Sequence, residues 1–531
     1  MAVETILALL AVMLILVAIA HKLGIPEPIL LVTGGLAISL VPGLPRVTLE
    51  PDIVFVLFLP PIIQLSAYDT SMRDFRTNLR SIGLMAIGLV LASMIAVAVI
   101  AHMLIPSLPW PAAFVLGAIV APPDAVAASS IAKRFRLPRI IVTVLEGESL
   151  LNDATSLVAY RTAVVAVVTG AFSMWQAGGE FLLSSLGGIA IGIAGGFVVT
   201  PFFRRLANDV PVYLTFTFLS GFAVYLLADA LHASGVLAVI ALGLFYAQPR
   251  FSTMTPVLRI QGTAIWEMVV FLLNGMIFIL IGLQLRGVVE RLAEAHISLI
   301  SAVVYAIVVC FVLAAVRMIW VFPGAYLGRI GGKVQREVPP WQHILIVGWT
   351  GMRGIVSLAS ALALPLVIEG GAPFPQRDLI IFITFVIILV TIIGQGLSLP
   401  LLIRWLKITT DGSEEREKHK ARLKVALSAQ TRLHELVEQE LITKEFALKM
   451  KKRYASRVQL HTARYHGERD EEAEVHSTKV AQLEQDLLEV ELDALVRLRN
   501  EEWISDEVMR RVQQELDFEW LRLEGEQDRG A

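Results

Sequence analysis

The amino-acid sequence predicts an all-α membrane protein of about 13 transmembrane helices, with inverted repeats and broken crossing helices, followed by a cytoplasmic helical C-terminal tail. Three observations carry this prediction. Hydrophobic residues make up 56% of the 531 positions and charged residues 17%, with a mean hydropathy of +0.68, outside the range of a water-soluble globular chain. Apolar runs of membrane-spanning length then succeed one another almost without pause as far as residue 406. Finally, 23 of the 45 Lys and Arg precede residue 407, and 22 crowd into the much shorter remainder. The expected units are therefore a membrane domain, 1–406, and a charged helical tail, 407–531.

Apolar stretches of about 17–25 residues mark spanning helices, shorter or longer where helices break or tilt. In order they fall at 4–21, 27–42, 50–67, 81–104, 111–131, 139–169, 180–205, 211–231, 233–248, 263–285, 297–327, 342–368 and 378–406. The first has Glu4 in place of a basic leader and no small-residue cleavage site, so it reads as a retained helix. The sixth is too long for one straight crossing, and the eighth and ninth are almost contiguous.

Basic loops stay on the cytoplasmic side. With the N-terminus outside, Lys22, Arg73, Arg76, Arg80, Lys133, Arg134, Arg136, Arg139, Arg204, Arg205, Arg250, Arg259, Arg329, Lys333, Arg336 and Arg404 fall inside. Only Arg46, Arg286, Arg291 and Arg377 fall outside, which makes the chain a multi-pass cell-membrane protein with an inward-facing tail. Cys310, the single cysteine, lies inside an apolar run and excludes an internal disulfide or a Cys-based metal site.

Ionisable groups at membrane depth are costly and hence functional candidates. They concentrate in Gly117-Ala-Ile-Val-Ala-Pro-Pro-Asp124 of the fifth span and Glu146-Gly-Glu-Ser-Leu-Leu-Asn-Asp153 of the sixth. Pro122 and Pro123 cannot donate backbone hydrogen bonds, so the fifth helix should break just before Asp124. In the sixth, Ser149 and Asp153 stand at i and i+4 and can offer oxygens to one small hard cation; Glu148 and Asn152 share the same spacing. A carboxylate beside a broken helix can hold a proton or a cation but not comfortably both, and competition for one site is the minimal chemistry of exchange. In the twelfth span, Gly348-Trp-Thr-Gly351-Met-Arg353-Gly354 predicts an unwound segment with a buried guanidinium, for which Glu148 is the expected carboxylate partner. The offset of seven spans between the fifth and the twelfth is the one an inverted repeat produces.

On these residues, together with Phe58-Leu-Pro-Pro-Ile-Ile63, Ala121-Pro-Pro-Asp124-Ala-Val126, His232-Ala-Ser-Gly-Val-Leu-Ala238 and Gly351-Met-Arg-Gly354, the sequence resembles the monovalent cation:proton antiporter family of NhaP- and NHE-type sodium/proton exchangers, in particular its bacterial branch. The resemblance implies a homodimer in membrane lipid, exchanging Na+ (Li+ or K+ as alternatives) for H+ by alternating access. A core bundle, about 81–169 and 297–406, would move against a dimerisation part, about 1–67 and 180–285. By the family pattern Asp153 carries cation and proton, Ser149 and Asn152 neighbour the ion, Asp124 shapes the crossing, and Glu148 with Arg353 form a structural ion pair. The Asn-Asp sequence is the pattern associated with electroneutral exchange. Gln64-Leu65 departs from relatives that carry an acidic residue there, which bears on cation selectivity.

Blander readings stand beside these. Asp153 could merely cap a broken helix, and Asp124 could hold the crossing rather than touch the ion. His232 reads as a packed hairpin residue, Glu146 as a solvated charge, Asn274-Gly275 as a helix-packing pair as much as a cavity lining. Arg161 and Arg317 are intramembrane without an evident partner. The proline-free tail from Asp411 has leucines at helical spacing and reads as long amphipathic helices turning near Gly467, with a regulatory or dimer-stabilising role set against an inert appendage. No nucleophile–base set, phosphate loop or metal cluster appears outside the ion motif, so neither an enzyme nor a nucleic-acid-binding protein is expected, and no cofactor. A channel, a proton-coupled symporter or a tail-operated sensor remain the rival classes.

Overall fold

The computed structural model describes residues 3–41, 54–124, 135, 137–170, 174–206, 209–247, 255–327, 340–408, 413–439, 441–466, 471–501, 503 and 505–527. Apart from an isolated bridge between Val367 and Pro373, the described residues are helices and their connections. The chain divides into two compact units, Met1–Thr409 and Thr410–Ala531.

In the first unit, α1 (Val3–Leu23) and α2 (Glu27–Ser39) lead into α3 (Val54–Asp69). Helix α4 runs through Met72–Gly83, a π-helical Leu84–Leu89 and Val90–Leu104, and α5 is Trp110–Val120. Then come α6 (Arg139–Thr169), α7 (Met174–Leu206), α8 (Val210–Ala230), α9 (Gly235–Ala247), α10 (Pro256–Leu283), α11 (Leu285–Glu294) and α12 (Leu299–Leu327). The short α13 (Trp341–Trp349) and α14 (Ile355–Leu362) are two halves of one interrupted segment. Helix α15 joins Arg377–Val390, a π-helical Thr391–Gln395 and Gly396–Trp405.

Among the described residues, seven helices are long and apolar enough to cross a bilayer, and Glu27–Ser39, Val54–Asp69, Trp110–Val120 and Gly235–Ala247 are shorter apolar helices. Helix α6 is not among the seven: its 31 residues carry Glu146, Glu148, Asp153 and Arg161. Apolar residues face outward all round, Phe197, Ile300 and Phe311 among them, as lipid solvation requires. Residues 125–131 of the fifth expected span, and the basic Arg46, Lys133, Arg134, Arg136, Arg250, Arg329, Lys333 and Arg336, lie outside the described residues.

Packing follows small residues. Helix α10 lies against α1 and α2, and a Cβ on Gly275 would strike Met13, so Asn274-Gly275 belongs to a helix-packing seam. Helices α3, α7, α8 and α9 pack together, with Gly243 closing on the Gln64 carbonyl. Helices α4, α5, α6 and α12 form a second set, with α13 and α15 against α12. His232 takes φ 56° in the tight α8–α9 hairpin and is exposed, so it is a turn residue at the hairpin surface and not the packed histidine that was expected.

The described residues of the second unit form four helices, Ser413–Glu438, Lys444–His466, Glu471–Asn500 and Asp506–Gln527, in two packed pairs. Residue 467, where a turn was expected, lies outside the described residues; Ser413–Glu438 and Glu471–Asn500 are each followed by non-helical residues, 441–443, 503 and 505 among them. Thr443 and Ser505 start the helices that follow them, accepting from the amides of Phe446 and Val508 at 3.4 and 3.3 Å.

Candidate functional site

The end of one helix meets the interruption of another segment. Helix α5 stops at Val120 because Pro122 and Pro123 cannot continue the ladder, which leaves its last carbonyls without helical donors. Between α13 and α14 the chain is non-helical from Thr350 to Gly354. The broken ends supply each other: the Asp124 amide donates to the Met352 carbonyl at 2.6 Å, and the Arg353 guanidinium donates to the carbonyls of Val120 at 2.8 Å and Ala121 at 3.4 Å, and to that of Gly351. The Arg353 amide donates to Thr391 Oγ1 at 3.0 Å, from the π segment of α15. Gly354 is required here, since the Asp124 carboxylate occupies the place where a Cβ at 354 would sit.

Helix α6 lies across this junction. Asn152, fully buried, donates from Nδ2 to the Pro123 carbonyl at 2.9 Å. The opposite amide orientation would set two acceptors against each other, so the bond fixes where Asn152 Oδ1 points. That oxygen is buried and has no hydrogen-bond partner. Asp153 and Ser149 are half-buried on the same helix, one turn apart, and Asp153 lies within coulombic reach of Asp124. The structure thus brings Asp124, Asn152 and the Arg353 segment together, with Asp153 and Ser149 beside them.

The expected Glu148–Arg353 ion pair is not formed, and this is a correction. Glu148 pairs with Arg317 of α12, in a two-pronged contact of 2.5 and 2.9 Å at 1% and 2% residue exposure. Arg317 Nε and Nη2 also donate to the Val347 carbonyl, at 3.2 and 3.1 Å, near the end of α13. The reason is local. An arginine within a helix break satisfies its donors on the carbonyls that the break exposes, whereas Arg317, in an unbroken helix, needs a carboxylate. Glu148 stands one turn before Asn152 and reaches α12 rather than the crossing.

Sequence reasoning singled out Arg317 without a partner and missed Thr391; a hydroxyl in an apolar run was the only signal for the latter. Arg161 pairs with Asp229 at 2.7 Å, joining α6 to α8 in an exposed bridge. Gln64 is 4% exposed and donates to the Thr217 carbonyl at 2.9 Å, so it holds α3 to α8 away from the crossing. Glu146 is half-buried on α6.

The chain has relatives among known proteins. The family model described as "Sodium/hydrogen exchanger, transmembrane" matches residues 7–405. An uncharacterised Na+/H+ exchanger of Mycobacterium tuberculosis is 36% identical over 528 residues, covering 98% of this chain and 95% of that protein. The "sodium, potassium, lithium and rubidium/H+ antiporter" of Bacillus subtilis is 34% identical over 407 residues, covering 74% and 60% respectively. The solved sodium proton antiporter MjNhaP1 of Methanocaldococcus jannaschii superposes with a TM-score of 0.60 at 19% identity, covering 76% of this chain and 98% of that one, a likeness of fold.

Proposed function

The chain belongs to the sodium/hydrogen exchanger family, and from that premise we propose that it exchanges Na+, with Li+ and K+ as alternative cations, for H+ by electroneutral alternating access, cation and proton competing for Asp153. Cation/proton antiport is the activity the family and the names of the relatives carry; the range of cations in the Bacillus name is why Li+ and K+ stay in the proposal. The single observation that supports Asp153 is its neighbour. Asn152 is pinned to the broken end of α5 through Nδ2, and this leaves a buried oxygen, Asn152 Oδ1, unpartnered one residue from the carboxylate.

A hard monovalent cation takes oxygen ligands, and here the Asp153 carboxylate supplies the charge while Ser149 Oγ and Asn152 Oδ1 supply neutral oxygens. Asp124 contributes through the crossing, where its amide holds the second broken segment and its carboxylate packs against Gly354, or by direct ion contact. With one carrier carboxylate and a neutral amide beside it, one cation replaces one proton and no net charge crosses. Arg353 neutralises exposed helix-end carbonyls, and Glu148–Arg317 ties α6, α12 and α13 together so that the crossing moves as a body.

On this reading the core bundle, about 81–169 and 297–406, carries the site against a dimerisation part, about 1–67 and 180–285, in a homodimer. Thirteen spans place the N-terminus outside and the tail in the cytoplasm. Proteoliposomes with an imposed pH gradient test it: pulses of Na+, Li+ or K+ are expected to collapse the gradient in wild type, without a membrane potential, and to do nothing in Asp153→Asn. Equal activity of the variant removes Asp153 from the carrier role; passive cation conductance in both would favour a channel.

A further inference from the structure

The non-helical segment from Thr350 to Gly354 is buried, and a buried backbone amide outside a helix needs an acceptor from elsewhere in the fold. Two of its backbone groups are held from outside the segment. The Asp124 amide donates to the Met352 carbonyl at 2.6 Å, and the Arg353 amide donates to Thr391 Oγ1 at 3.0 Å. The first bond comes from the end of α5 and the second from α15. The residue whose guanidinium caps α5 is therefore itself set in place by a hydroxyl on a third helix.

Thr391 is 2% exposed and is the first residue of the π-helical Thr391–Gln395, where α15 leaves α-helical geometry. Single π turns within α-helices are frequent at functional sites. A threonine hydroxyl has one donor and two acceptor positions. Here the donor is used on the helix's own turn, toward the Ile387 carbonyl at 2.8 Å and the Ile388 carbonyl at 3.2 Å, so that a lone pair meets the Arg353 amide. From Arg353 the bonds run on. Its guanidinium donates to the carbonyls of Val120 and Ala121 at 2.8 and 3.4 Å, and three residues after Val120 the Pro123 carbonyl accepts from Asn152 Nδ2 at 2.9 Å. We propose that Thr391 is a positioning residue of the exchange site: its hydroxyl fixes the Arg353 segment, the guanidinium fixes the end of α5, and that end fixes where Asn152 presents Oδ1 beside Asp153.

The inference rests on the reading of Asp153 as the carrier, and it separates the two substrates. A proton needs only the Asp153 carboxylate, whereas a cation needs neutral oxygens beside it as well. Loosening Thr391 weakens cation binding and leaves proton binding nearly as it was. Because one cation competes with one proton, a loss of about tenfold in Na+ affinity moves the pH of half-activity, at fixed sub-saturating Na+, upward by about one unit. A bond that served stability alone would lower the melting temperature and leave the Na+ affinity and the pH profile in place.

Exchange by the full chain in proteoliposomes, measured against Na+ concentration and pH, tests the proposal. Thr391→Val keeps the shape of the side chain and removes the acceptor; it should raise the apparent KM for Na+ about tenfold and leave the maximal rate within about threefold of wild type. Its pH of half-activity should rise by about one unit. Thr391→Ser, which keeps the hydroxyl, should stay within about twofold of wild type in KM and rate. Thr391→Cys, a weak acceptor, should fall between the two, and it takes the place of Thr391→Val if that variant does not fold. An unmoved KM and pH profile in the variant lacking a good acceptor, a loss of maximal rate at unchanged KM, or a Thr391→Ser as impaired as Thr391→Val overturns the proposal. Asp153→Asn, run alongside, separates the two levels. Exchange at the wild-type rate in Asp153→Asn removes the carrier reading and this inference with it, whereas an inactive Asp153→Asn beside an unmoved Thr391→Val overturns the inference alone.

Discussion

Removing either partner of Glu148–Arg317 should be the most destabilising charge deletion in the membrane unit. The pair sits at 1% and 2% exposure, joined by contacts of 2.5 and 2.9 Å, and Arg317 also carries the Val347 carbonyl. Glu148→Gln would leave a buried guanidinium without its counter-charge, and Arg317→Met a buried carboxylate. Losses of this kind run to about 3–5 kcal/mol, whereas replacing both partners together costs far less, because no charge is then stranded. A double-mutant cycle read by equilibrium unfolding in mixed micelles should therefore give a coupling of about 2 kcal/mol or more between Glu148→Gln and Arg317→Met. The parallel cycle with Arg353→Met should give a smaller coupling, since the Arg353 guanidinium donates to the carbonyls of Val120, Ala121 and Gly351. Additive effects for Glu148 with Arg317, alongside strong coupling of Glu148 with Arg353, would refute the assignment of partners.

Three further outcomes are expected. Gly354→Ala drives a methyl group into the Asp124 carboxylate; overpacking of this kind costs about 1–3 kcal/mol, and exchange in proteoliposomes should fall by at least tenfold, with partial recovery in Gly354→Ala combined with Asp124→Ser. Asn152→Asp places a second carboxylate beside Asp153 and should make exchange respond to an imposed membrane potential, which a potassium–valinomycin clamp detects; an unchanged, potential-independent rate would count against electroneutrality by residue count. Deleting residues 412–531 should shift the pH dependence of exchange or the oligomeric mass of the purified protein, and if both stay as in the full chain the tail is an appendage.

What could be read from the sequence depended on how far a residue's consequences are local. Pro122-Pro123 and the Gly351–Gly354 run act on their own backbone, and both helix breaks stand where those residues predict them. The i, i+4 spacing of Ser149 with Asp153 likewise needs only helix geometry. The partner of Glu148 is a tertiary fact: three arginines, Arg161, Arg317 and Arg353, lay at membrane depth, and choosing among them required knowing that a helix break offers its own acceptors. Thr391 was illegible because a hydroxyl in an apolar helix normally bonds back to its own turn, as Thr391 also does to Ile387 at 2.8 Å. Gln64 was noted only for not being acidic, while its fold-level role, a bond from α3 to α8, comes from packing 153 residues away in sequence. In the tail, the helix starts after Thr443 and Ser505 were signalled by capping residues that amphipathic periodicity alone passes over.

The central claim is that cation and proton compete for one carboxylate, and proton release on cation binding measures it most directly. Purified protein in weakly buffered detergent solution at a pH where the site is part-protonated is titrated with Na+, and released protons are counted by a pH indicator or by calorimetry in buffers of different ionisation enthalpy. Wild type should release protons, up to one per Na+ bound and fewer as the pH is raised, with apparent Na+ affinity falling as the pH is lowered. Asp153→Asn should release none while remaining folded. Na+ binding without proton release at every pH, or undiminished release from Asp153→Asn, would contradict the account.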